Sequence, residues 1–452
     1  MRSIELEYGK QDLRIRIPDS AVVLSLPEVK HLPDPHAAIE AALDQPLNSP
    51  PLATLARQRR QIIGPSCTAV IVVSDNTRPV PYQGSQSLLN PILEVLRREQ
   101  ISRIQILVAA GTHRKLSDAE LKMFLPESLF DGSVEILQHD CRNPADLRQV
   151  GVTERGTEAW INRHYLDAHL KILTGLVEPH FMAGASGGAK SICPGVVGEK
   201  VTHVFHSAAM MADPACRSFN LIDNPCFQEA RAVAARAGCD FILNGTINRD
   251  KQLAGLFAGE LITAHNAACR KVLAESGLPI TSEFDVVLTH AGFVGVNHYQ
   301  AGKAAVEASR AVKRNGTLIL FGRHTDPDPI GSGLYKKILV LLKELGPDGL
   351  DARLLSPDWT FVPEQWQPQM WGRVLRKLGP DGSLIYCSPH VTGPLFAAHQ
   401  LPGRDGGTDV PASLDDRDWA EHMVQHAIDQ IPASHSVVVL KDGPYGVPWV
   451  NS

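Results

Sequence analysis

The stretch Gly175–His206, GLVEPHFMAGASGGAKSICPGVVGEKVTHVFH, decides how the rest of the chain is read. It holds three histidines, two lysines, six glycines and two prolines, with few side chains suited to filling a core. Just upstream, His169–Leu173 (HLKIL) reads as a short strand. Ser186–Ser191 (SGGAKS) then reads as a Gly-rich turn opening a helix. Unpaired amides and the helix dipole at such a turn favour an anion, most simply a phosphate, here around Ser186, Gly187 and Gly188. Such a turn can also be plain tight packing. What sets this one apart is Lys190 inside it, with His180 ten residues before and His206 sixteen after. His203 reads as a satisfied core or surface group, and Cys193 as a small packing residue.

The turn can be compared with a P-loop, G-x-x-x-x-G-K-[ST]. Gly184–Ser191 supplies the first glycine, the lysine and the serine, but puts Ala189 where the second glycine belongs. No strand ending in a Walker-B aspartate is evident. A phosphate- or nucleotide-handling enzyme built on residues 186–191 therefore stands as an alternative reading, as does a catalytically silent binding protein.

Outward from this stretch, the chain alternates strands and helices. Thr68–Val73 (TAVIVV) and Ile104–Ala109 (IQILVA) are continuous apolar runs, the mark of strands buried on both faces. The first ends in Ser74–Pro79 (SDNTRP) and the second in Ala110–Arg114 (AGTHR). Asp75, Arg78 and His113 thus sit at strand ends, where open α/β sheets bind their ligands. Ser117 and Glu120 form a capping box for the helix that follows. Ile4, Leu6 and Tyr8 alternate with polar residues, as do Leu13, Ile15 and Ile17, so the first residues read as a hairpin turning at Gly9. Helices are expected near 35–43, 52–61, 86–99, 221–237 and 261–276, with a hairpin near 241–259.

Gly277–Ser282 reads as a domain boundary. Beyond it a second α/β pattern begins with Phe284–His290 (FDVVLTH). A helix carrying Lys303 to Val312 and strands at 317–321, 383–387 and 436–440 follow, with a helix at 418–430. Pro402–Pro411 reads as a loop. The fold class is α/β in two domains. One spans 1–278 with the tail 441–452, and the other spans 284–440.

Composition narrows the function. The chain has 452 residues, with 44 basic and 49 acidic, a balance that makes no case for nucleic acid or an anionic membrane. No run of about 18 apolar residues offers a transmembrane span. The eight cysteines form no C-x-x-C pair and fit a reducing cytoplasm.

With these residues in view, the chain resembles the nickel-pincer lactate racemase family, whose members are LarA-like. The resemblance rests on six motifs in one order: S-D-x-T-R-P at 74–79, G-T-H-R at 111–114, E-P-H at 178–180, S-G-G-x-K at 186–190, His206, and Y-Q-x-x-K at 299–303. It implies an isomerase that racemises or epimerises the C2 centre of a 2-hydroxy acid, lactate-like or larger and acidic, such as malate. The implied cofactor is a pyridinium-3-thioamide-5-thiocarboxylic acid mononucleotide holding nickel, attached covalently at Lys190, with His206 as the metal's imidazole ligand. His113 and His180 match the acid–base pair. Arg78 and Lys303 match the groups that hold the substrate carboxylate, and Asp75, Tyr299 and Gln300 match further active-site positions. The implied chemistry is proton-coupled hydride transfer through a 2-keto acid. The implied partners are the small-molecule substrate and the enzymes that make the cofactor. Lys303 falls in the second domain and the cofactor residues in the first, so the expected site is a cleft between them, closed by a hinge near 277–282. His298 and Trp359 are candidates for shaping the pocket around the substrate's tail.

Overall fold

In the computed structural model, residues 1–407 and 414–450 are described, and the chain divides into two compact α/β units. Positions 408–411 of the expected loop and 451–452 of the tail lie outside the described residues.

One unit comprises residues 28–206 and 215–275. Its sheet has six strands: β1 (Thr68–Ser74), β2 (Arg103–Ala109), β3 (Glu135–Gln138), β4 (Leu170–Leu176), β5 (Phe241–Ile247) and β6 (Leu253–Gly259). They lie in the order β6-β5-β4-β1-β2-β3, parallel except for β6, which returns antiparallel on β5. Ile71 sits between Ile106 and Ile172 in register. These three join the core that the helices Pro35–Asp44, Leu52–Ile63 and Leu89–Arg98 cover. Val70, Val72, Leu107 and Leu173 on the opposite face are equally buried, which explains the unbroken apolar runs. The chain lays β1, β2 and β3 to one side, then crosses back to place β4 against the other edge of β1. The junction of β1 and β4 is therefore a topological switch point, where loops leave the carboxyl edge in opposite directions and open a crevice.

The other unit comprises residues 1–27, 207–214 and 276–450. Its six-stranded parallel sheet runs in the order Arg404–Asp405, Ser383–Cys387, Val312–Phe321, Phe284–His290, Val437–Leu440, Val22–Leu24. The expected hairpin is present, with Leu6 opposite Leu13 and Gly9 turning at φ +66°. Leu13, Ile15 and Ile17 pack in one core with Met423, Val424 and Ala427 of the helix Asp416–Asp429.

The units follow different bounds from those read in the sequence. Residues 1–27 and 441–450 belong with 284–440, because Val22–Leu24 adds to that sheet and Gly277–Ile280 pairs with Val447–Val450. The expected boundary at 277–282 lies beside the change of unit at 275/276, and its Gly277–Ile280 is a paired strand. The helix carrying Lys303 runs His298–Ala308, and Val312 already opens the next strand. The two longest helices that went unread are Gly333–Leu354, kinked at Gly346-Pro347, and Trp366–Leu378.

Leu13 is fully buried, so Leu13→Ala should cost about 2–5 kcal/mol. Urea unfolding followed by limited proteolysis should show peptides of 284–440 becoming labile first. Early loss of peptides from 68–109 instead would contradict the assignment of the hairpin.

Candidate active site

Three loops meet at the carboxyl edge of β1, β2 and β4. After β1, the buried Asp75 accepts hydrogen bonds from Thr77 N and Oγ1, and Arg78 N donates to Asp75 O (3.3 Å). After β2, Gly111 turns at φ +54° and brings His113 back, so that His113 Nδ1 lies 2.6 Å from Asp75 Oδ2. Burial pushes the Asp75 carboxyl up, but the bonds from His113 and Thr77 outweigh it and hold it below its ordinary value. An ionised Asp75 accepts from Nδ1–H, which leaves the neutral His113 ring with its lone pair on Nε2. Gly111 N donates to Gly195 O (3.0 Å), tying this loop to the third.

After β4, Pro179–His180 pairs with Gly184–Ala185 as a short ribbon. His180 Nδ1 accepts from the amides of Met182 (3.3 Å) and Ala183 (3.1 Å). Its neutral ring therefore carries the proton on Nε2, opposite to His113. The Arg78 guanidinium stands 3.9 Å from the Glu178 carboxylate, a half-exposed pair of small energetic weight.

The Gly-rich segment differs from the expected helix opening. Gly188–Ser191 is a single 3-10 turn, with Gly187 at φ +73° and Gly188 at φ +51°. The Gly188 amide is already spent on Asn244 Oδ1 (2.9 Å). Ser186 Oγ donates to Leu176 O (3.0 Å) and accepts from Glu178 N (2.9 Å). These bonds occupy the Gly188 amide and the Ser186 hydroxyl, two of the groups that the P-loop alternative would use.

Two residues that the sequence reading passed over hold this turn. Asn244 of β5 is fully buried. His265, on the helix Leu261–Ser276, has Nε2 2.8 Å from Ser186 O. A Cβ on Gly188 would overlap the His265 ring, so the position admits only glycine. Asn244 had a signal in the sequence, an amide inside an apolar strand. His265 had none.

Lys190 Nζ lies over the Phe205 ring, 5.7 Å from its centroid, and His206 meets the same ring edge-on at 4.9 Å. His206 Nδ1 is 3.1 Å from Thr202 O. A carbonyl only accepts, so Nδ1 bears the proton and Nε2 the lone pair. Burial, then the nearby Lys190 charge, lower the His206 pKa to about 3. Cys193 is buried with its thiol pushed up by burial, as a packing residue.

Tyr299, Gln300 and Lys303 belong to the other unit, on the helix His298–Ala308. Asn297 caps it, accepting from Gln300 N (2.9 Å), and Trp366 Nε1 donates to Tyr299 Oη (2.9 Å). His298 is not a pocket residue. It is fully buried, stacked on Trp371 at 4.5 Å, with Nδ1 2.7 Å from Tyr335 Oη. Trp359 Nε1 donates to Gln365 (3.0 Å), and the Arg353 guanidinium covers its ring.

A doubly wound sheet with an Asp–His pair, a second histidine of opposite tautomer and a lysine in a loop at its switch point is an arrangement suited to acid–base chemistry on a small molecule. The family model described as the lactate racemase N-terminal domain matches residues 8–218. The lactate racemase of Lactiplantibacillus plantarum is 31% identical over 384 residues, covering 83% of this chain and 87% of the relative. That of Thermoanaerobacterium thermosaccharolyticum is 30% identical over 383 residues, covering 83% and 86%. The lactate racemase apoprotein structure from the latter organism superposes with TM-score 0.82 at 26% identity, over 100% of both chains. A Thermotoga maritima protein shares the fold at TM-score 0.57 and 16% identity, over 90% of this chain and 100% of that one. The chain belongs to the lactate racemase family and is an isomerase. Among its described residues, no helix is long and apolar enough to cross a membrane.

Burial holds the His265 pKa down at about 4, against roughly 6.5 unfolded. A group with a lowered folded pKa that is neutral when buried loses stability as pH falls from 6.5 towards 4, where only the unfolded chain takes up the proton. His265→Asn should therefore lose less stability between pH 7 and 5 than the parent, by about 2 kcal/mol. Urea midpoints at the two pH values measure this, and equal losses would refute it.

Proposed function

We propose that this racemase inverts the C2 centre of a 2-hydroxy acid, using a nickel-containing pyridinium mononucleotide carried covalently on Lys190. The observation that carries the reading is the convergence of the Asp75–His113 pair, His180 and the Lys190 turn on one switch point, in a chain of this family.

The residues suit that group. His206 presents a neutral imidazole with its lone pair on Nε2, the form that binds a metal. Lys190 stands in a turn where glycines at positive φ let the backbone come close. Asn244 Nδ2 is buried without a partner among the described residues, a donor awaiting an acceptor. When bound, the cofactor supplies an acceptor for the C2 hydrogen and its electron pair.

The remaining work falls to the protein. His113 takes the hydroxyl proton at Nε2, and Asp75 then stabilises the imidazolium. His180, with its proton on Nε2, serves the substrate oxygen on the opposite hand. Arg78 and Lys303 hold the carboxylate, Arg78 through a planar fork that fixes orientation as well as charge. Tyr299 and Gln300 flank Lys303 on its helix as further contacts. The enzymes that make the cofactor are the required partners, in the cytoplasm.

Co-production with those enzymes should add the cofactor's mass to the peptide bearing Lys190, and Lys190→Ala should lose both adduct and turnover. His113→Ala and His180→Ala should keep nickel while slowing racemisation of chiral 2-hydroxy acids, lactate and malate first, by roughly 10²- to 10⁴-fold. His206→Ala should lose nickel. An unmodified Lys190 in a competent host would sink the reading, and nickel loss in His113→Ala would mean that the histidine roles are exchanged.

A further inference from the structure

The expected phosphate cradle at Gly187–Gly188 is closed by Asn244, and the same side chain opens another. Gly188 N–H is a donor, so the Asn244 atom facing it must be the oxygen, which fixes the amide's orientation. Nδ2 then points away from the turn, fully buried and without a partner among the described residues. Leaving a buried amide unpaired is costly unless a ligand or water satisfies it.

The β4–β5 register sets Asn244 beside Gly175. Gly175 lacks a side chain where one would stand between three polar atoms. A Cβ there would meet Ser74 Oγ at 3.4 Å, Ser191 Oγ at 3.8 Å and Asn244 Nδ2 at 4.0 Å, and these are its three nearest heavy atoms. Ser191 Oγ donates to Thr174 O at 3.4 Å, long for a hydroxyl donor. Ser74 and Ser191 are partly exposed, so the cluster runs from the buried strand to the accessible carboxyl edge. Two hydroxyls and an amide, with no carboxylate among them, can all donate, and Nδ2, which cannot accept, calls for an acceptor atom. It lies at the switch point, where doubly wound sheets hold phosphates.

We propose that Ser74, Ser191 and Asn244, gathered around the bare Cα of Gly175, bind the phosphate of the mononucleotide cofactor. The inference rests on the cofactor reading above. Asn244 thus acts twice, with its oxygen setting the turn that presents Lys190 and its nitrogen anchoring the far end of the ligand.

The test uses the full chain made without the cofactor enzymes, titrated calorimetrically with nicotinate mononucleotide and with nicotinate riboside. The wild type should bind the mononucleotide at least about tenfold tighter, the gain expected when donors meet a charged acceptor. Asn244→Asp keeps the acceptor for Gly188 N–H but sets a carboxylate against the phosphate. It should erase that preference while leaving riboside affinity unchanged. The double variant Ser74→Ala/Ser191→Ala leaves the Asn244–Gly188 bond intact and should do the same, so it decides the matter if Asn244→Asp misfolds. Equal binding of the two probes by the wild type, or a preference that survives in the variants, overturns the proposal. If neither probe binds, adduct yield at Lys190 in the competent host decides. A wild type with the adduct and variants that carry as much refute this subsite alone, whereas a wild type without it refutes the cofactor reading itself.

Discussion

The hydrogen bonds between β1 and β4 join two halves of a sheet that run away from each other in chain order, and the loops carrying Asp75, Arg78, His113, His180 and Lys190 depend on this junction. Strands inside a doubly wound sheet cannot slip, because both faces are buried and a one-residue shift would exchange them. Ile71 between Ile106 and Ile172 locks the register from one side, and Val70 and Val72 lock it from the other. Rigid strands therefore deliver Asp75, His113 and His180 to one edge, while irregular backbone is confined to the loops, where it can do chemistry.

Those loops are held by one another more than by their own conformational preferences. Gly111 N reaches Gly195 O, Ser186 Oγ bridges Leu176 and Glu178, and the turn before Lys190 rests on Asn244 and His265. Each contact uses a buried polar group, and such groups are costly when half satisfied. Interlocking of this kind presets the orientation of the reactive side chains before any ligand arrives, so less ordering remains to be done on binding.

Much of this was legible. Burial on both faces writes itself as an unbroken apolar run, so β1 and β2 stood out, and the Ser117–Glu120 capping box is local chemistry. The site motifs stood at strand ends for the same reason. What was not legible depends on contacts far apart in sequence. Nothing in Val22–Leu24 says that it completes a sheet whose neighbouring strand begins at Val437. Gly346-Pro347 and Pro368 masked two helices that the fold tolerates at a kink and within a first turn. The Ser186 turn does not open an α-helix because Gly187 and Gly188 sit at positive φ, outside the right-handed helical region, where Asn244 and His265, far along the chain, hold them. His298, beside Tyr299 and Gln300, looked placed to shape a pocket but is stacked on Trp371 and buried.

The opposite tautomers of His113 and His180 make the site inherently handed. One ring rests as a proton acceptor backed by a carboxylate. The other rests as a donor whose inner nitrogen is occupied by two backbone amides. The two substrates of a racemase are mirror images of equal free energy, so the overall equilibrium constant is one. The Haldane relation then forces kcat/KM to be identical for both enantiomers, however unlike the two histidines are. The handedness can surface only as matched changes in kcat and KM, with the enantiomer that binds more tightly turning over more slowly by the same factor.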